Sequence, residues 1–100
     1  MKSPDEFYQE ITTDPGAAQY VDFGFPAKDA KFIIDGSNDV YAASSIVENG
    51  SDTYVTATTS SPKYKSGEEH TLPVPSCGFR KGISFLGITG GSAVRVYAYR

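Results

Sequence analysis

Apolar and polar positions alternate with a period of two along most of this chain, the pattern of strands with one buried face. From Gln19 to Phe25, Val21, Phe23 and Phe25 fall on one side and Tyr20, Asp22 and Gly24 on the other, and Pro26 ends the run. A short apolar strand is predicted at 31–34, closed by the turn-forming Asp35-Gly36-Ser37-Asn38-Asp39. Two further strands, 40–47 and 53–59, are joined through Asn49-Gly50, a type I′ hairpin signal. Residues 69–74 read as a strand, and Pro73 with the following Pro75 puts it at a sheet edge. The segments 83–89 and 92–99 flank Gly90-Gly91, a pair able to take the positive φ angles of a two-residue hairpin turn. With Thr89 opposite Ser92, the predicted hairpin gathers Ile83, Phe85, Gly87, Val94, Val96 and Ala98 on one core-facing side.

Seven strands at spacings of roughly ten residues predict an all-β fold, an antiparallel β-sandwich rather than a small barrel. The N-terminus departs from this pattern. Ser3-Pro4-Asp5-Glu6 has the chemistry of a helix start, with Ser3 as N-cap, Pro4 at the first helical position and Glu6 closing a capping box. The expectation is therefore a short helix or arm over 1–16, carrying Phe7, Tyr8 and Ile11 on one side, followed by a single sandwich domain over 17–100.

One hundred residues suffice for one core and leave no room for a second domain. The net charge of −3 argues against gathering nucleic acid by counterion release, and no apolar run approaches a membrane span. Charge is divided unevenly: residues 1–52 carry a net −7 and residues 53–100 a net +4. Interleaved strands would neutralise this split, and contacts between subunits would exploit it. Cys77 is the sole cysteine, so no intramolecular disulfide forms, and the N-terminus lacks an apolar signal region. Both features fit a chain made and folded in a cytoplasm.

No residue cluster announces a chemistry. Cys77 and His70 are the lone thiol and imidazole, but Pro73 and Pro75 between them make a nucleophilic pair hard to align. Glu68-Glu69-His70 cannot close a metal sphere, because consecutive residues of an extended chain point to opposite faces. Asp35 to Asp39, with Asp52, offers oxygen ligands without the spacing of a calcium loop, and turn chemistry accounts for them. Gly87, Gly90 and Gly91 precede no helix that would make a phosphate cradle. The expectation is a non-enzymatic protein with no cofactor and no metal.

The outward side of the predicted hairpin is the stronger lead. It carries Leu86 and Ile88 against Arg95, Tyr97 and Tyr99, too apolar for an ordinary wet surface. Tyrosine suits interfaces because its ring buries area while its hydroxyl stays wet or paired. These five residues, with Phe7, Tyr8 and Ile11 of the arm, are the expected interface.

The run Gly82 to Tyr99, ending in Val94-Arg95-Val96-Tyr97-Ala98, preceded by Phe32 to Ser44 with its polar turn and small-residue end, resembles small virion proteins of tailed bacteriophages. The resemblance spans about residues 20–100 and is one of cadence. It implies a β-sandwich that decorates or cements a capsid, or serves in the neck or tail. The implied partners are further copies of itself and virion proteins such as the major capsid protein, with assembly in the host cytoplasm and final residence in the virion. The alternative is a carbohydrate- or receptor-binding module of a tail or fibre, using tyrosines as stacking platforms.

Overall fold

The computed structural model of the chain describes residues 6–44, 46–47, 55–74, 78–88 and 90–99. Regular structure in them is all β: β1 (Glu6–Thr12), β2 (Gln19–Ala27), β3 (Asp29–Ile34), β4 (Val40–Ala43), β5 (Ile46–Val47), β6 (Lys63–Tyr64), β7 (Glu69–Leu72), β8 (Phe79–Gly87) and β9 (Ala93–Tyr99). One sheet has the order β1-β9-β3-β7 and the other β2-β8-β4-β6, with β5 also paired to β8. Every pairing is antiparallel, so the chain is an all-β antiparallel sandwich.

Period-two alternation decides what lies between the sheets. The first sheet sends in Ala30, Phe32 and Ile34 from β3 and Val94, Val96 and Ala98 from β9, all buried. The second answers with Val21 and Phe23 from β2, Val40 and Ala42 from β4, and Ile83 and Phe85 from β8. Phe32 and Phe85 meet edge to face across the middle, ring centroids 5.1 Å apart. Tyr64 and His70, on the edge strands β6 and β7, cover this centre, Tyr64 meeting Phe32 edge-on and His70 lying tilted against it. His70 donates from Nε2 to the Lys65 carbonyl oxygen at 2.9 Å, a structural use of the lone imidazole.

The terminal hairpin does not form. β8 and β9 carry the inward residues expected of them but belong to opposite sheets, so the chain crosses the sandwich between them. Gly90 supplies a φ of +66°, and Gly91 lies so close to the Thr13 carbonyl that a Cβ there would sit 2.7 Å from its oxygen. The glycine pair thus makes a crossing rather than a hairpin turn. Ser92 then anchors it: its N–H donates to Thr13 Oγ1 at 3.0 Å and its hydroxyl to the Asn38 carbonyl at 2.7 Å.

The N-terminal segment is the second correction. Glu6–Thr12 is no helix but the outermost strand of the first sheet, paired along its length with β9. It is therefore part of the sandwich and not a separate arm. Ser3 and Pro4 of the expected cap lie outside the described residues. Thr12 to Gly16 does end the segment, with a turn bridged by Asp14 and Ala17.

Smaller differences follow the same logic. The strand expected over 40–47 is divided into β4 and β5, and residues 55–59 are irregular. Ala57 is instead pinned by its N–H to the buried Ser84 hydroxyl at 2.8 Å. Asn49 and Gly50 lie outside the described residues. β7 takes the edge position that its prolines predict.

Candidate functional site

Pairing register builds the outer face of the first sheet row by row. One row crosses the sheet as Tyr8, Tyr97, Lys31 and Thr71, the next as Glu10, Arg95, Ile33 and Glu69, and a third as Glu6, Tyr99 and Asp29. Tyr8 and Tyr97 are direct cross-strand partners with rings 4.9 Å apart, and Lys31 Nζ stands 5.3 Å from the Tyr97 centroid. Tyr8 and Tyr99 are exposed and Tyr97 is half-buried.

Charge on this face is arranged around the rings. Arg95 grips Asp35 with two parallel bonds, Nε to Oδ2 at 2.7 Å and Nη2 to Oδ1 at 2.9 Å. That bond holds the Asp35 carboxyl below its ordinary value and pushes the Arg95 guanidinium further up. Lys31 reaches Glu69 at 3.7 Å. Asp35 and Arg95 pair an acid of the acidic half with a base of the basic half and so offset part of the uneven charge, whereas Lys31 and Glu69 pair the minority charge of each half. Arg95 is thereby held in one orientation beside the tyrosines.

Tyr8 donates its hydroxyl proton to Glu10 Oε1 at 2.7 Å, and this bond raises its pKa from 10.0 to about 12. The neutral phenol is the form being stabilised. The raised folded-state value means that its contribution to stability is complete below the unfolded value and disappears as pH rises through about 12. Spectrophotometric titration is expected to show one tyrosine ionising well above the ordinary range, lost in Tyr8→Phe and moved downward in Glu10→Gln. An unmoved titration in Glu10→Gln would remove the Tyr8 to Glu10 bond from the account.

Of the eight residues expected at an interface, the fold brings four together: Tyr8, Arg95, Tyr97 and Tyr99. Phe7 and Ile11 lie opposite Ala98 and Val94 and pack against the core, Phe7 against Phe23 at 5.4 Å. Leu86 and Ile88 are separated from the tyrosines altogether. Leu86 lies on the second sheet opposite Tyr41, and Ile88 borders a small cleft with Ser37, Asn38, Asp39 and Lys63. The single greasy surface drawn from a hairpin is thus two surfaces. Lys31, which sequence reasoning passed over, joins the true face because β3 is the other neighbour of β9.

A second feature has no counterpart in the sequence reading. A cleft of about 270 Å³ is walled by Ala42, Val55, Tyr64, Leu72 and Ile83 and includes Arg80. The β2–β8 register shifts between Asp22 and Ala27, which sets Arg80 opposite buried Ala27. Arg80 is itself only 6% exposed. Its guanidinium donates to the Pro73 carbonyl from Nε (3.3 Å) and Nη2 (2.9 Å) and to the Ser44 carbonyl from Nη1 (3.3 Å). Desolvation lowers its pKa. Among the described residues no carboxylate pairs with it.

Among the described residues no three of His, Cys, Asp and Glu come close enough to hold a metal ion. Cys77 and Asp52 lie outside those residues. The acids of the 35–39 turn are engaged within the fold, Asp35 by Arg95 and Asp39 by the Ser66 N–H at 2.8 Å. No helix of the described residues is long and apolar enough to cross a membrane.

These features define a small antiparallel β-sandwich whose first sheet presents a tyrosine-rich outer face. The same fold occurs in the crystal structure of PirA, which superposes with a TM-score of 0.65 over 93% of this chain and 94% of that one. The two sequences are 12% identical, so the likeness is one of fold. No family model and no curated protein matches the chain.

Proposed function

We propose that this chain is a non-enzymatic structural component of a bacteriophage virion, a capsid decoration or cement protein that docks through the outer face of its first sheet. The observation that carries the reading is the row Tyr8, Tyr97 and Lys31 with Arg95 and Tyr99 beside it. Tyrosine and arginine are the residues enriched in interface cores, and here they stand on a rigid sheet rather than on loops. The Asp35 clamp on Arg95 and the ring contacts of Tyr97 pre-organise the face, which reduces the side-chain ordering cost of docking. The cadence shared with tailed-phage virion proteins supplies the particle. Its partners are other copies of itself and the major capsid protein.

The test is co-sedimentation with purified particles. Wild-type chain is expected to travel with the virion, and Tyr8→Glu with Tyr97→Glu to stay in the supernatant as a folded protein, because unpaired charge in a desolvated interface is costly. If the folded double variant sediments with particles as well as the wild type, docking runs through another surface.

A shallow depression among Asp29, Lys31, Thr71 and Tyr99 favours a second reading. An aromatic ring beside a carboxylate, a hydroxyl and an ammonium has the polar and stacking groups that a sugar requires. On that reading the chain is a carbohydrate-binding module of a tail or fibre. Saturable binding of host surface polysaccharide, abolished by Tyr99→Ala, would favour it over capsid docking.

A further inference from the structure

Arg80 presents an imbalance that the docking face does not explain. Burying a cation is costly unless an anion or a full set of acceptors replaces its water. Two backbone carbonyls accept three of its N–H groups, yet they bring dipoles and no charge. A guanidinium has five N–H donors in a planar fork, so among the described residues two remain after those bonds, one on each terminal nitrogen. Among the described residues no carboxylate takes them. The side chain also lines a cleft whose other walls are mostly apolar, with Ser44 and Tyr64 as the polar exceptions.

We propose that this cleft is a binding site for a small carboxylate carried on an apolar or aromatic body, with the carboxylate held by Arg80. The guanidinium fork matches a carboxylate bidentately. Ala42, Leu72, Ile83 and Val55 receive the apolar part. A phosphate dianion fits poorly, since among the described residues one guanidinium is the only cation lining the cleft and the walls offer it few donors. A volume of about 270 Å³ lies just below the usual range for drug-sized pockets, roughly 300–1,000 Å³, so the occupant is a single-ring acid or one residue of a partner. The bland alternative is that Arg80 only straps Ser44 to Pro73.

The probe is sodium benzoate, titrated into the isotope-labelled full chain and followed by amide NMR. Saturable shifts are expected at Ala42, Leu72, Arg80 and Ile83, with benzyl alcohol at least about tenfold weaker, the margin set by hydrogen bonds to a charged group. A parallel arm uses a short peptide ending in phenylalanine, as free acid and as amide. Binding of benzoate alone identifies a free acid, and stronger binding of the acid peptide identifies a partner's C-terminus. Arg80→Gln should abolish either response.

Because Arg80 also straps two segments, a second variant separates binding from folding. Val55 is 39% exposed, lines the cleft and is not an acceptor of the guanidinium, whose bonds go to Ser44 and Pro73, so Val55→Trp is the variant chosen to fill the cleft. It should keep the wild-type melting temperature and lose the probe. Equal responses to benzoate and benzyl alcohol, no saturable shift with any acid, or undiminished binding in folded Val55→Trp would each overturn the proposal. None of these results bears on the outer-face reading, whose residues lie on the other sheet.

Discussion

Phe32→Ala is expected to cost about 3–5 kcal/mol, a large part of a domain stability on the order of 5–15 kcal/mol. Phe32 has no exposed surface and is the residue through which the two sheets meet. Its ring stands edge to face with Phe85 at 5.1 Å and with Tyr64 at 4.9 Å, and His70 lies 5.4 Å away. Truncation therefore empties the centre and removes the surface on which Tyr64 and His70 rest. The strands around it are fixed by ladders on both sides, β3 between β9 and β7, so the cavity cannot close by collapse. Thermal melting should fall by roughly 10 °C or more, given about 4–8 °C per kcal/mol for a domain of this size. Phe32→Leu should lose much less. An unchanged melting temperature in Phe32→Ala would place the core elsewhere.

Gly82→Val, in the interior strand β8, is expected to cost about 3 kcal/mol or more, the upper end of overpacking costs. Gly82 is opposite Asp22 in the β2–β8 ladder, and the Tyr20 ring lies across it. A Cβ there would collide with the Val21 carbonyl as well as with the ring. The ring could swing aside, but the carbonyl belongs to the ladder and could move only by parting β2 from β8. Removing the ring tests this division. Tyr20→Ala should rescue little of the loss in Gly82→Val if the backbone contact dominates. Full rescue, measured by chemical denaturation, would mean that the ring is the whole obstacle.

The core was legible in the sequence because alternation reports which side of a strand is buried. Ile83, Phe85, Val94, Val96 and Ala98 are all fully buried, as the pattern 83–99 predicts. Alternation does not report which strand is the neighbour. A hairpin within one sheet and a crossing between two sheets bury the same residues, and a Gly-Gly pair serves both. The error in pairing then displaced Leu86 and Ile88 from Tyr97 and Tyr99 by a whole sheet.

At the N-terminus, local and tertiary signals disagree. Ser3 to Glu6 spells a helix cap, and Phe7, Tyr8 and Ile11 also fit one helical side. Phe7, Gln9 and Ile11 fit one strand face equally, and the free edge of β9 decides between them. A helix of two turns has little stability of its own to oppose that pairing. Tyr8 was identified as an interface residue from its chemistry, but its contact with Tyr97 requires the strand. The Arg80 cleft left no such trace, since its burial depends on the β2–β8 register shift.

Docking through the outer face of the first sheet, as proposed, implies a residue-specific footprint when the tyrosines are labelled by hydroxyl radicals in the free chain and on purified particles. Tyr20, which is 39% exposed on the second sheet, is the internal control for Tyr8 at 40% and Tyr99 at 37%. Assembly is predicted to protect Tyr8, Tyr97 and Tyr99 while Tyr20 stays as reactive as in the free chain. Protection of Tyr20 with Tyr8 and Tyr99 still fully reactive would contradict it.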